Sequence, residues 1–150
     1  MRNYFVRRMM RRMQRRYDYD VSYMLYLLDE APKAFWTFMR ASALSRYREQ
    51  VPVEAALTVR LVATMTEDCG PCTQLLVHHA TEAKMASDQI EAVLTRNLAA
   101  MNPVVALAYR YAEAVLSRLP DAGDVRAAVR SRWSDKGLIA LALSMQGARL

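Results

Sequence analysis

The chain reads as all-α, and three observations predict it. Hydrophobic residues make up 53% of the sequence while glycines number only four. Ala, Leu, Met, Arg, Gln and Glu are plentiful, and all are good helix formers. Alternating β-branched runs, the signature of strands, are lacking. At 150 residues the chain is long enough to bury a real core as one domain. No apolar run reaches the roughly 18–20 residues of a membrane span. The basic start is followed by no clean apolar stretch of the kind a secretory signal needs.

The formal net charge of +6 is unevenly placed. Residues 1–16 carry seven arginines and no acid, and the remainder carries 14 basic and 15 acidic residues. The basic excess therefore belongs to the N-terminus. Arginine outnumbers lysine 18 to 3, which resembles the coding bias of a GC-rich genome.

Taken in order, residues 2–28 form a basic amphipathic helix, broken near Asp18–Asp20. Phe5, Met9, Met13 and Tyr17 recur every four residues as one apolar stripe, widened by Val6 and Met10. Arg7, Arg8, Arg11, Arg12 and Arg15 cover the other face. Such a helix packs on a neighbour or another subunit, or lies on an anionic membrane. Targeting and nucleic-acid binding are weaker readings, the latter because no second basic patch completes a footprint. The expected division is this helix, 1–28, and a helical domain, 29–150. Pro32 restarts a helix in which Phe35, Phe38 and Met39 share a face for core or interface packing.

Pro52 opens a helix to about Thr66 with a broad apolar face of Ala56, Leu57, Val59, Leu61 and Ala63. Glu54 sits in its first turn, where the helix dipole favours a carboxylate. A general base for a nearby thiol is the sharper reading of that residue. Cys69-Gly70-Pro71-Cys72 follows, with Asp68 or Cys69 as cap and Gly70-Pro71 as the turn, and the helix runs to about Ala86. Ser87-Asp88-Gln89 opens a helix to about Ala100. Asn102-Pro103 starts another to about Leu119. Residues 120–124 are a turn, a short helix carries Val125, Val129 and Trp133, and Ser134-Asp135 caps a last helix running to Leu150.

Both cysteines of the protein lie in that one motif. At a helix N-terminus the dipole and free N–H groups stabilise a thiolate. Two thiols three positions apart support reversible dithiol–disulfide exchange, in which one attacks a peroxide or disulfide and the other resolves the product. A metal half-site and an inert core pair are the alternatives. The metal reading fails on ligand count, since structural zinc takes four ligands. Only His78 and His79 could join, and neighbours on a helix point about 100° apart. No phosphate-binding glycine loop and no Ser/His/Asp set is present.

Arg60-Leu61-Val62-Ala63-Thr64, followed by Glu67-Asp68-Cys69-Gly70-Pro71-Cys72-Thr73-Gln74-Leu75, resembles the carboxymuconolactone decarboxylase and AhpD-like alkylhydroperoxidase superfamily. The resemblance covers roughly residues 30–150 and leaves out the arginine-rich start. It implies an AhpD-like helical bundle with the Cys-x-x-Cys at a helix start, assembled as a homo-oligomer. It further implies thiol peroxidase chemistry in which a glutamate and a histidine relay protons to the thiols. Cys69 and Cys72 match that pattern. The relay histidine falls on Leu76 and the relay glutamate on Leu57, so Glu54 or Glu67 would have to substitute. Lactone decarboxylation does not use this motif.

Two functions are thus open. One is a thiol-dependent oxidoreductase or peroxidase with Cys69 and Cys72 exchanging electrons and no cofactor or metal. Its partners are a peroxide or disulfide substrate and a protein or small-thiol reductant. The other is a non-catalytic helical oligomer whose residues 2–17 dock to a partner or to a membrane surface. Unsignalled helices with so few cysteines point to the reducing cytoplasm.

Overall fold

The structure, a computed structural model, describes residues 2–149; Met1 and the expected end of the last helix at Leu150 lie outside them. Among the described residues there are eight α-helices, two short 3₁₀ turns and no strand, so the fold is all-α. No helix among them is long and apolar enough to cross a membrane. The chain divides into two compact units, Met1–Ser42 and Ala43–Leu150.

The first unit holds α1 (Arg2–Tyr17), α2 (Ser22–Glu30) and α3 (Pro32–Ser42). The boundary expected after residue 28 falls instead after Ser42. The reason is packing: Met10 of α1, Val21, Met24 and Leu28 at α2, and Phe35 of α3 share one small core. The expected break between α1 and α2 is present. Asp18 takes a left-handed backbone (φ 48°). Asp20 then accepts hydrogen bonds from the Ser22 backbone N–H and hydroxyl, both at 2.8 Å. Those bonds, the backbone one first, hold the Asp20 carboxyl below its usual range. The apolar stripe of α1 is corrected by one position. Phe5 and Met9 are 65% and 53% exposed, whereas Met10 is 2% exposed and Val6 packs on the same core. Arg7, on the flank of that inner face, pairs with Asp29 of α2.

The second unit is built on α4 (Val53–Thr66), which packs against α5 (Gly70–Glu82), α6 (Ser87–Leu94), α7 (Pro103–Leu116) and α8 (Ala122–Gly147). Every residue of α4 from Ala55 to Thr64 except Arg60 is buried, as expected of a helix surrounded by others. Its two buried polar side chains return their hydroxyls to the helix. Thr58 donates to the Glu54 carbonyl at 2.7 Å and Thr64 to that of Leu61 at 3.0 Å. Asn102 caps α7 as its Asn-Pro start predicts, accepting from the N–H groups of Val104 and Val105 at 2.9 Å. Buried Gln89 staples the connector before it, donating to the Ala100 carbonyl (3.1 Å) and accepting from the Asn102 N–H (2.6 Å).

The break expected at Ser134-Asp135 is a kink inside α8, where Trp133 and Ser134 leave helical geometry. The loop before α4 docks onto that kink. The Ser134 hydroxyl bonds Gln50, Lys136 pairs with Glu49, and Gly137 meets Val51 and Trp133. A Cβ at Gly137 would stand 2.3 Å from Trp133 Cβ, so only glycine fits that approach.

Helices α5, α6 and α7 end three to six residues earlier than expected, at Glu82, Leu94 and Leu116. Each is closed by a left-handed residue with a side chain: Lys84 (φ 64°), Arg96 (φ 56°) and Arg118 (φ 52°). The next N–H reaches back five residues, as in Met85 to Ala80 (3.0 Å), Asn97 to Ala92 (2.9 Å) and Leu119 to Ala114 (2.9 Å). This is the Schellman closure, usually made by glycine. A side chain in that conformation costs about 1 kcal/mol. Lys84→Gly and Arg96→Gly, both at exposed positions, are therefore expected to stabilise the protein by up to about 1 kcal/mol each. Urea unfolding would show raised midpoints at unchanged slope; lowered midpoints would refute the account.

Candidate functional site

The C-terminal turn of α4 places the cysteines. Asp68 takes the left-handed conformation (φ 53°). Its N–H donates to the Met65 carbonyl at 3.3 Å and that of Cys69 to the Thr64 carbonyl at 3.1 Å. The turn expected from Gly70-Pro71 is thus made earlier, by Asp68. Gly70 is the first helical residue of α5, and a Cβ added there meets nothing within 4 Å. Pro71 occupies the first turn, where its missing N–H costs nothing.

Cys69 is the N-cap residue of α5 and Cys72 lies in its first turn. Their sulfurs are bonded in a disulfide, with the Cα atoms 5.3 Å apart. Both residues are partly exposed. Two threonines brace the motif against α4. The Thr73 hydroxyl lies 3.0 Å from the Cys69 carbonyl and 3.2 Å from Thr64 Oγ1. The Thr73 backbone N–H also donates to that carbonyl, at 2.9 Å.

The two carboxylates expected to serve the thiols are placed differently. Glu54 is in the first turn of α4, at the end away from Cys69. Twelve residues of helix separate it from Thr66, about 18 Å at 1.5 Å per residue. The structure does not bring it to the cysteine pair. Glu67 stands two residues before Cys69, and its carboxylate accepts from Arg149 Nε at 2.5 Å. That exposed pair engages Glu67, while a second acid, Asp68, stands directly before Cys69. Leu57 and Leu76, the positions where the resemblance puts the relay glutamate and histidine, are both buried.

Sequence reasoning gave no role to Arg60, Thr64 and Thr73. The available signal for Arg60 was a lone cation within an otherwise apolar helix. Its Nε is buried without a hydrogen-bond partner. Burial lowers its pKa, and the nearby charge of Arg46 lowers it further. His79, on α5, also has its pKa pushed down, by burial first and by the Arg60 charge second, with Glu82 opposing. Among the described residues no cluster of three or more His, Cys, Asp or Glu is placed to hold a metal ion.

The His79 environment has a measurable consequence. Its ring is expected to titrate below the ordinary value of 6.5. Arg60→Met should move the midpoint upward without restoring it fully, because burial is the larger cause. The sign for stability follows: as pH falls below about 6.5, the unfolded chain takes up a proton that the folded protein resists, so stability declines. Side-chain NMR titration reads both, and a midpoint at or above 6.5 in the folded protein would contradict this environment. Compared with known proteins, the chain matches no family model, no curated protein and no solved structure.

Proposed function

We propose that this chain is a thiol–disulfide redox protein in which Cys69 and Cys72 cycle between dithiol and disulfide. The observation that carries the reading is the closed pair at the N-terminus of α5, partly open to solvent. In the reduced form, the α5 dipole and the free N–H groups of its first turn stabilise a thiolate at this end. The thiolate attacks a disulfide sulfur, releasing one half of the substrate as a thiolate and holding the other in a mixed disulfide, and the second thiol then expels that other half as its thiol to close the Cys69–Cys72 bond. A peroxide is the alternative oxidant. Its O–O bond breaks as one sulfur becomes a sulfenic acid and the alcohol leaves, and the second thiol then expels water to form the same bond. A protein or small-thiol reductant restores the dithiol.

The surroundings favour disulfide exchange over fast peroxide turnover. Glu54 is remote, Glu67 is held by Arg149, and Leu57 and Leu76 carry no proton. The AhpD-like character, the homo-oligomeric state and a cytoplasmic setting belong to the same proposal and rest on the resemblance of the motif. The test is thiol alkylation in dithiothreitol redox buffers, combined with thiol titration. The dithiol should form and re-oxidise reversibly, with one thiol titrating below the free value of about 8.5. Cys69→Ser and Cys72→Ser should each abolish the cycle. Two thiols that titrate at or above that value, and a pair that no disulfide or peroxide re-forms, would end this reading.

A second reading has its own observation. Tyr4, Phe5 and Met9 on α1 are exposed beside Arg8, Arg11, Arg12 and Arg15, also exposed. Aromatic and basic side chains together suit the headgroup region of an anionic bilayer. Docking of α1 to such a surface predicts co-sedimentation with phosphatidylserine vesicles that weakens with salt. Phe5→Ala with Met9→Ala should weaken it further. Equal recovery in the supernatant with and without vesicles at low salt would discard it.

A further inference from the structure

A cavity of about 240 Å³ opens beside the first two turns of α4. Val53, Ala56 and Leu57 give it an aliphatic wall on one helix face, and Arg60 continues that face. Ser45, Arg46 and Arg48, from the segment before α4, complete the lining, which contains no carboxylate. The acid of that segment, Glu49, is engaged by Lys136 and by the Tyr47 hydroxyl.

Three arginines thus line one small space, with no acid among the lining residues. Arginine cannot shed its proton to escape this, as a buried lysine can. Arg60 is the least exposed of the three, and its Nε is buried without a hydrogen-bond partner. Val53, the first residue of α4, also brings the positive end of that helix to the cavity. Burial of one guanidinium nitrogen without a partner is unfavourable, and an anion seated here would offset part of that cost. Guanidinium forks match phosphate oxygens two at a time. The volume is below the roughly 300 Å³ at which pockets for drug-sized ligands begin, and the aliphatic wall offers no hydrogen bonds to a sugar.

We propose that Arg46, Arg48 and Arg60 bind a soluble phosphate group, carried as inorganic phosphate or as a small phosphomonoester. The site is independent of the redox reading, so the Cys69→Ser variant should bind with unchanged affinity. Calorimetric titration of the full chain with inorganic phosphate and with methyl phosphate, at ionic strength fixed by chloride, should give saturable binding. Arg46→Gln with Arg48→Gln replaces two exposed residues. It should weaken binding by about tenfold or more, as loss of a charge-assisted hydrogen bond does. Arg60→Met keeps the apolar stem and removes the charge. Its melting temperature in chloride should equal or exceed that of the wild type, and phosphate should no longer raise it specifically. Should Arg60→Met fail to fold, the exposed double variant decides alone. Three results would overturn the proposal: phosphate and chloride shifting the wild-type melting temperature equally, the double variant binding phosphate as the wild type does, or capture by phosphatidate vesicles that phosphate does not compete away.

Discussion

The turn at Asp68 is the constraint on which the cysteine motif depends. Helix α4 is enclosed by four others, so its axis is fixed by packing and not by its own ends. Where it stops, the chain reverses through one left-handed residue. Two backbone hydrogen bonds to Thr64 and Met65 hold that reversal. The direction of α5 follows from it, and so does the placement of Cys69 at the cap and Cys72 one turn in. The Thr64–Thr73 contact then ties the first turn of α5 to the last turn of α4. The sulfur pair is thereby held by a surrounded helix, while both cysteines remain partly exposed to solvent.

That arrangement separates two kinds of chemistry along one helix. The C-terminal end of α4 presents sulfur, a helix start and Glu67 neutralised by Arg149. Nearer its N-terminal end, Val53, Ala56, Leu57 and Arg60 line a cavity with Arg46 and Arg48 from the preceding segment, and Glu54 of the first turn is not among the lining residues. Arg60 sits one helical turn before Thr64, and its charge is felt at His79 on α5. The same cation therefore bears on the cavity and on the helix that starts at the cysteines.

Much of this was legible in the residues, and the failures share causes. Proline and capping residues marked the starts of α3, α4 and α7 and the break in α8, because those side chains act locally on backbone donors. The ends of α5, α6 and α7 were misjudged, no glycine marking them, whereas α4 stops at Thr66 as expected. Lys84, Arg96 and Arg118 read as ordinary helix formers, yet each takes the left-handed conformation that closes its helix. On α1, the four-residue repeat favoured Phe5 and Met9 for the inward face, with Val6 and Met10 at its edge. The position of Asp29, which draws Arg7 to the flank, and the small pocket that accepts Met10 decided between them. Of the candidate site, the cysteine pair was visible from spacing alone. Glu54 was rightly placed in the first turn of α4, and that position, a full helix away from Cys69, is what removes it from the cysteine pair. Arg60 announced itself only as an oddity, and its meaning needed the cavity.

The small core of the unit Met1–Ser42 has a further consequence. Five buried side chains hold three helices together there, and so little enclosed surface sustains only weak cooperativity in a segment this short. Amide protons in α1 to α3 should then exchange with deuterated solvent through frequent partial openings. Those of α4, which has no exposed face to fray from, would be released only when the whole second unit melts. The protein would thus lose its order in sequence, arginine-rich end first, with the sulfur-bearing scaffold intact behind it.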